Sequence, residues 1–274
     1  MARQGANDIS WADFTFNLWE GCFKISPGCR SCYAEAMNKW LRKGENWGID
    51  APRKFFRESH YDAPYDWNRQ AIRAGRQMRV FCGSVMDIAE LHPVPEINAA
   101  MDASRAWLFE HIPQWSHLDF LLLSKRPENF IEILPDWWVN SPPPNAILGA
   151  TVEDHEHALE RYTVLMNAPS RRHFFSYEPA LGPIDWPYLF ETFNRNRLPD
   201  QIIFGDESGR KKRPAELEWA RMTRDACAKY GVPFHFKQWC GADAEGLGGT
   251  RDAKGKIHLP VLDGVQHAAF PKEI

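Results

Sequence analysis

A repeated unit constrains the fold of this chain more than any other feature. Each unit has a short apolar segment of strand length, polar residues directly after it, and then a segment with helical character. Short buried strands that alternate with helices pair in parallel through right-handed crossovers. This many units in 274 residues favours an α/β fold with a full or partial TIM-like (β/α) barrel over an open doubly wound sheet. The apolar segments are residues 14–17, 78–84, 118–123, 146–152, 172–177, 201–205 and 232–236.

The segments between these strands complete the predicted architecture. Residues 1–240 are predicted to form the barrel domain, and residues 44–65 are interpreted as an irregular insertion in it. Residues 241–274 are predicted to be a flexible loop followed by a tail that packs on the barrel as a C-terminal flap. Helices are predicted at residues 33–43, 95–111, 153–167 and 214–230, with a short one after Pro127.

Polar side chains follow six of the predicted strands. The carboxyl ends of barrel strands converge on one mouth, so these side chains should meet there. Any one of these residues alone would be interpreted as a helix cap or an ion pair at the rim of the barrel. Because six successive units end in polar residues, we expect about half of these residues to contact a ligand and the rest to cap helices. The residues are Ser84 and Asp87, Lys125 and Arg126, Thr151 and Glu153, Ser176 and Glu178, Asp206, Glu207 and Ser208, and Lys237 and Gln238.

Three cysteines form a cluster near the N-terminus. Cys22, Cys29 and Cys32 have the spacing C-x6-C-x2-C, and a helix is predicted to begin just after Cys32, where the dipole favours a thiolate. Three thiolates on one loop can hold three irons of a 4Fe–4S cluster and leave the fourth iron open to a small molecule. The alternatives are a structural zinc site, which normally needs four protein ligands, and unconnected cysteines. The remaining cysteines, at positions 82, 227 and 240, are expected to be buried apolar residues.

Bulk properties limit the possible partners and location. A formal net charge of -3 gives no overall basic field, so nucleic-acid binding would require a local basic groove. No N-terminal apolar signal and no run of about eighteen apolar residues is visible, so we expect a cytoplasmic protein with no membrane segment. Cysteines in that compartment serve metals or catalysis more often than disulfides.

The two common nucleotide-loop motifs, GxGxxG after the first strand and GxxxxGK[ST], are absent.

Several stretches together resemble the three-cysteine-motif family of phages and bacteria, a radical-SAM-like family of unknown function. The resemblance runs in order from about residue 11 to residue 239. Asp206 departs from it, because the family usually has a second glycine there. The matching stretches are residues 19–22, 24–29, 32–35, 124–128, 148–154, 176–179, 181–185, 207–209, 213–214, 231–234 and 236–239.

The resemblance implies an iron–sulfur enzyme that cleaves S-adenosylmethionine (SAM) to a 5′-deoxyadenosyl radical. Cys22, Cys29 and Cys32 would be the ligands of a 4Fe–4S cluster. Carboxylates and hydroxyls such as Glu178 would accept hydrogen bonds from the SAM amino group and ribose, and cations such as Arg126 would bind a carboxylate or phosphate unless they form strand-end ion pairs. The full set of expected cofactor-binding residues is Ser84, Lys125, Thr151, Glu153, Ser176, Glu178, Glu207, Ser208 and Lys237.

The expected partners are an external electron donor and an unidentified small-molecule or nucleotide substrate. The phage association extends that substrate class to a nucleic-acid base, by analogy alone. The alternative function is a non-catalytic iron–sulfur or zinc-binding protein that acts as a binding or assembly module. Convergent polar strand ends argue against that alternative, because a module has no need of them.

Overall fold

A seven-stranded parallel sheet forms the centre of the molecule. The computed structural model describes residues 9–193, 197–208, 212–239, 250–251 and 257–271. The strands in these ranges are β1 (Phe14–Phe16), β2 (Trp19–Glu20), β3 (Lys54–Phe55), β4 (Met78–Cys82), β5 (Leu118–Ser124), β6 (Ala146–Val152), β7 (Arg172–Tyr177), β8 (Gln201–Gly205), β9 (Phe234–Gln238), β10 (Thr250–Arg251), β11 (Ile257–His258), β12 (Val261–Leu262) and β13 (Val265–Gln266). The central sheet has the order β1-β4-β5-β6-β7-β8-β9, and the other strands form antiparallel pairs. Neighbours in the sheet thus follow chain order, as the alternating pattern predicts.

Helices connect the central strands. They are α1 (Tyr33–Arg42), α2 (Ala63–Ala74), α3 (Pro95–His111), α4 (Phe130–Ile133), α5 (Asp136–Asn140), α6 (His155–Asn167), α7 (Trp186–Phe193) and α8 (Leu217–Tyr230). Asp154 caps α6 by accepting a hydrogen bond from the His157 backbone N–H, and Gly231 ends α8 in a left-handed conformation. No helix in the described ranges has both the length and the apolar character that a membrane crossing requires.

The sheet curls into an open half-barrel. Its outer face packs against the helices, while its inner face contributes apolar side chains from β4 to β8 to a second, smaller core with Trp11. The Trp11 ring centroid lies 4.5 Å from that of Phe81 on β4 and 6.1 Å from that of Phe174 on β7. Three strand spacings in a flat sheet would separate β4 from β7 by about 14 Å, so contact of one ring with both indicates strong curvature.

The C-terminal segment lies along the β9 edge of the sheet. The Phe236 N–H donates to the His267 carbonyl, and the Ala269 N–H donates to the Phe234 carbonyl. Phe270 then packs under the inner core, with its ring 3.4 Å from the Arg79 guanidinium carbon. In the described residues the tail therefore covers an edge of the sheet. The predicted domain boundary at residue 240 and most of the 241–255 loop fall outside the described ranges, so the boundary and the flap stay predictions.

Two helices of the outer layer were absent from the sequence-based prediction. Helix α2 begins inside the segment interpreted as irregular, and α7 begins directly after Asp185, whose carboxylate accepts a hydrogen bond from the Tyr188 backbone N–H (3.0 Å). Helix α2 buries mainly Trp67 and small residues, so its apolar pattern is weak. Its proline in the first turn and Gly75 at its end, with φ of 63°, are the signals that mark it.

Candidate functional site

A cavity of about 510 Å³ opens at the carboxyl ends of the central strands. This volume is in the range of protein sites for cofactors and small molecules. Its lining includes all three cysteines of the N-terminal cluster. It also includes eight of the nine residues predicted to bind a cofactor, namely Ser84, Lys125, Thr151, Ser176, Glu178, Glu207, Ser208 and Lys237. The structure thus brings together residues from six consecutive strand ends and the cysteine loop.

Glu153, the ninth predicted residue, lies behind the cysteine loop and does not line the cavity. Its carboxylate is fully buried and accepts hydrogen bonds from the Ser26 hydroxyl (2.5 Å) and the Gly28 backbone N–H (2.6 Å). Lys125 Nζ and Arg161 Nη1 lie 3.4 and 3.6 Å from the same carboxylate. Burial alone would raise the pKa of Glu153, but these charges and hydrogen bonds outweigh burial and hold the pKa below its usual value. Glu153 therefore remains ionised and anchors the cysteine loop.

Arg126 fastens the other end of that loop. Its guanidinium donates to the Phe23 carbonyl (2.9 Å), stacks on the Phe23 ring and lies 3.8 Å from Cys22 Sγ. Asp87 accepts from Arg126 Nη1 (2.7 Å), from the Ser124 hydroxyl and from the Lys125 backbone N–H. The predicted strand-end ion pair of Lys125 with Glu153 is thus present, whereas Arg126 pairs with Asp87 and not with one of the expected partners Glu128, Glu153 or Asp154. The positive charges of Lys125 and Arg126 also stand beside the cysteine loop, where they would offset thiolate charge.

Burial raises the pKa of two of the loop thiols, Cys22 and Cys32. Burial raises the pKa of Cys22 well above its usual value, and the nearby Glu90 adds to this effect against the opposing charge of Arg126. Cys32 directly precedes α1, as predicted. Burial raises its pKa more than the backbone N–H groups of Ala34 and Glu35 lower it. The helix N-terminus therefore favours the thiolate as expected, but the net shift has the opposite sign.

A second group of polar residues forms a wall of the cavity at the ends of β7 and β9. Lys237 Nζ lies 2.6 Å from Glu178 Oε1, and the Ser176 hydroxyl donates to Glu178 Oε2 (3.1 Å). Gly205 makes room for this carboxylate, because a Cβ there would lie 2.5 Å from Glu178 Oε1. Sequence reasoning selected Ser176, Glu178 and Lys237 separately, and the structure places them in one hydrogen-bonded group.

Glu207 connects the wall to the loop. It accepts from the Arg213 backbone N–H (2.9 Å) and from two nitrogens of the Arg213 guanidinium, and the Ser31 hydroxyl of the cysteine loop also donates to it. Burial would raise the pKa of Glu207, but the hydrogen bonds from Arg213 dominate and the pKa is lowered. Glu207 is thus an ionised acceptor between the two sides of the cavity.

The three cysteines of the loop are free thiols and partly exposed. Within the described part of the chain, no group of three or more His, Cys, Asp or Glu side chains converges on a point that could hold one metal ion. Cys82 and Cys227 are buried in the core, as predicted, and Cys240 lies outside the described residues.

Several residues that shape the site escaped the sequence analysis. Ser26 and Gly28 fix the loop through Glu153, and Trp11 and Phe81 form the apolar floor of the cavity. Tyr33 lines the cavity and donates its hydroxyl proton to the Ser84 carbonyl. A serine and a glycine between two cysteines are a usable signal for a fixed loop. A tryptophan upstream of the first strand carries no comparable signal.

Comparison with known proteins identifies a family and no closer relative. Neither curated proteins nor solved structures gave a match. One family model, described as a protein of unknown function (DUF5131), matches residues 6–271. This match includes the cysteine loop and every strand end around the cavity. The chain therefore belongs to the DUF5131 family.

Proposed function

We propose that this protein is a radical-SAM-like iron–sulfur enzyme that cleaves SAM reductively and acts on a substrate held in the same cavity. The observation that carries the proposal is the shared cavity itself. Three cysteines of one short loop face polar groups supplied by the ends of β4 to β9. A purely structural metal site has no use for such a set, whereas a reacting small molecule needs it for orientation.

The open half-barrel supports this proposal. We infer a partial TIM-like barrel, in which ligands bind at the carboxyl ends of the strands. The cavity lies at those ends, and the smaller inner core fills the barrel beneath it. Trp11, Phe81 and Leu123 belong both to that core and to the cavity lining. They provide an apolar floor that limits water near a reactive intermediate.

A 4Fe–4S cluster on Cys22, Cys29 and Cys32 would supply an open iron for the amino and carboxylate groups of SAM and the electron that cleaves its sulfonium bond. The chain's own residues bind and orient. Glu178 and Glu207 are each paired with a cation and accept hydrogen bonds, so they suit the donor groups of SAM, its ammonium and ribose hydroxyls. A nucleotide or base substrate stays the proposed class for the rest of the cavity.

Product formation under anaerobic conditions tests this function. Protein reconstituted with iron and sulfide, then treated with dithionite and SAM, should release 5′-deoxyadenosine. The variant Cys29→Ala should release none, because two cysteines cannot hold the cluster in place. Cys227→Ala is the matched control, since it removes a buried thiol from α8 far from the cavity lining and should retain product formation.

Two results would contradict the proposal. A protein that binds iron but forms no 5′-deoxyadenosine with dithionite would be the non-catalytic module. Zinc bound in place of iron would remove the cluster altogether.

A further inference from the structure

Helix α1 exposes an apolar stripe to solvent. Tyr33, Met37, Trp40 and Leu41 have the spacing of one helix face, and all four are exposed. Trp40 is 83% exposed and Leu41 54%. Large apolar side chains of a surface helix normally face the core, and a contiguous exposed group of them marks an interaction site.

The side of α1 that faces the protein is polar instead. Ala34 and Asn38 are its buried residues. The Asn38 side chain donates to Glu20 (2.7 Å) and to Asn46 (3.2 Å), so the helix is attached through hydrogen bonds. Tyr33 adds a hydrogen bond from its hydroxyl to the Ser84 carbonyl. The part of the stripe left for a partner is therefore Met37, Trp40 and Leu41.

The stripe begins at the candidate site. Cys32 is the residue directly before α1, and Tyr33 lines the cavity. Trp40 is eight residues beyond Cys32, which corresponds to about 12 Å along a helix axis. Electron transfer slows steeply with distance, so a protein docked on α1 would lie close to any group held by the cysteines.

The surroundings of the stripe are basic, although the whole chain is acidic. Residues 22–49 contain five basic and two acidic side chains, for a local charge of +3, whereas the chain carries -3. Arg42 is paired with Glu20, which lies just outside this range, at 2.8 Å. Glu35 is bridged by Lys24 and Lys39 at 2.7 Å each, so these lysines offset its charge. The basic residues are Lys24, Arg30, Lys39, Arg42 and Lys43.

We propose that the α1 stripe is the docking surface for a small acidic protein that donates one electron to the site. The inference rests on the proposed function, because only a reducible cluster needs such a donor. In each encounter the reduced donor would lose one electron and the cluster would gain it. The apolar stripe would provide contact area and Trp40 the central anchor, while the surrounding lysines would attract the acidic partner.

Other occupants fit the surface less well. A second copy of this chain would place Lys39 and Lys43 of both copies around one apolar contact, where like charges repel. Nucleic-acid interfaces are polar and strongly basic, whereas Met37, Leu41 and the nearby exposed Ile25 are aliphatic. Both alternatives are outcomes of the test below.

The test compares a protein donor with a small reductant on the reconstituted protein. A purified acidic flavodoxin, reduced in advance, is mixed with the wild type and with the double variant Trp40→Ser/Leu41→Ser, and cluster reduction is followed by stopped-flow absorbance. We expect the second-order rate to fall about tenfold or more in the variant, as for loss of an interface anchor, and to fall in the wild type as salt rises. Dithionite, which needs no docking, should reduce both proteins equally. Ile131→Ser, an equally exposed position on α4, is the control and should behave as the wild type.

The outcomes separate the docking surface from the function. Equal flavodoxin rates for the double variant and the wild type would overturn the docking proposal alone, provided that dithionite and SAM still give 5′-deoxyadenosine. The docking proposal would also be overturned if the wild type forms a dimer in solution and the double variant does not. It would equally be overturned if an oligonucleotide binds the wild type at the stripe and displaces the flavodoxin. Absence of any cluster that dithionite can reduce in the wild type would overturn the proposed function, and the donor with it. Lys39→Glu is a second variant, at an exposed position where the fold should stay intact. It should weaken the salt dependence of the rate at which the flavodoxin reduces the cluster.

Discussion

Gly28 occupies a position in the cysteine loop where no side chain fits. A Cβ there would meet the buried Glu153 carboxylate, with Oε1 at 2.5 Å. Its backbone N–H donates to the same carboxylate at 2.6 Å. The residue thus combines close approach with a charge-assisted hydrogen bond, and both depend on the absence of a side chain.

Gly28→Ala should loosen the cysteine loop. The added methyl displaces either the loop or a carboxylate that also pairs with Lys125 and Arg161, at a cost of about 1–3 kcal/mol. In the metal-free protein, the thiols of Cys29 and Cys32 should react faster with a disulfide reagent such as DTNB. In the reconstituted protein, the iron content should fall.

Pro27→Ala provides the neighbouring control, because Pro27 is exposed and the change leaves the Gly28 contact intact. Thiol reactivity that rises equally in both variants, or in neither, would show that Glu153 does not hold the loop.

The side-chain directions of Glu153 and Arg126 are features of the site that the sequence alone does not predict. Glu153 was selected because it follows a strand, and that placement is correct. Its partners Ser26 and Gly28 are more than 120 positions away, so the sequence alone does not show that its side chain points behind the loop. Arg126 is similar: its contact with Cys22 depends on how a long side chain turns between Asp87 and Phe23.

At the scale of elements, β6 and β7 pack through a glycine. A Cβ on Gly149 would overlap the ring of Phe174 on the inner face, and these residues are paired in register between the two strands. The missing side chain on β6 leaves the space that the Phe174 ring fills.

Gly149→Ala should therefore destabilise the half-barrel. Overpacking of a closely packed interior costs about 1–3 kcal/mol, so the midpoint of urea unfolding should fall with little change in slope. Gly182→Ala is a milder comparison, because the nearest atom to its Cβ would be Asp154 Cβ at 3.3 Å. An unchanged midpoint for Gly149→Ala would show that the Phe174 ring moves freely and that the inner core is looser than described.

The elements that sequence patterns predicted best are the buried ones. Strands β6, β7 and β8 and helix α3 have the predicted bounds, because continuous apolar runs of strand length and a proline helix start leave little choice. Helices α2 and α7 were missed, although the buried residues of α7, Trp186, Leu189 and Phe190, follow a helical period and Asp185 caps the helix, so the sequence contained signals that the prediction did not use. Strand β9 has the predicted length but begins two residues later than predicted, at Phe234.

At the scale of the whole molecule, two buried histidines link stability to pH. His173 and His235 are fully buried, and burial lowers the pKa of each to about 3, with the charges of Arg197 and Arg79 adding to the effect. In the unfolded chain both would titrate at about 6.5. The unfolded state therefore binds more protons between about pH 6.5 and pH 3, so stability is full above this window and is lost as the pH falls through it.

His173→Gln should reduce this acid sensitivity. Each such histidine contributes a slope of about 1.4 kcal/mol per pH unit to the free energy of unfolding near pH 5. The free energy of unfolding, measured with urea at pH 7 and at pH 5, should differ less between the two pH values in the variant than in the wild type, by about 2 kcal/mol. His258→Gln, at an exposed position, serves as the control for replacing a histidine by glutamine. An identical pH dependence for His173→Gln and the wild type would mean that His173 titrates in the folded protein as it does in the unfolded chain.

Iron and sulfide content of anaerobically purified protein tests the central claim of a three-cysteine cluster most directly. The account predicts about four irons and four sulfides per chain, as in a 4Fe–4S cluster, and their loss when Cys22, Cys29 or Cys32 is replaced by alanine. Cys82→Ala and Cys227→Ala should retain the full content. Zinc without sulfide in the wild type, or an iron content that survives replacement of the three loop cysteines, would contradict the account.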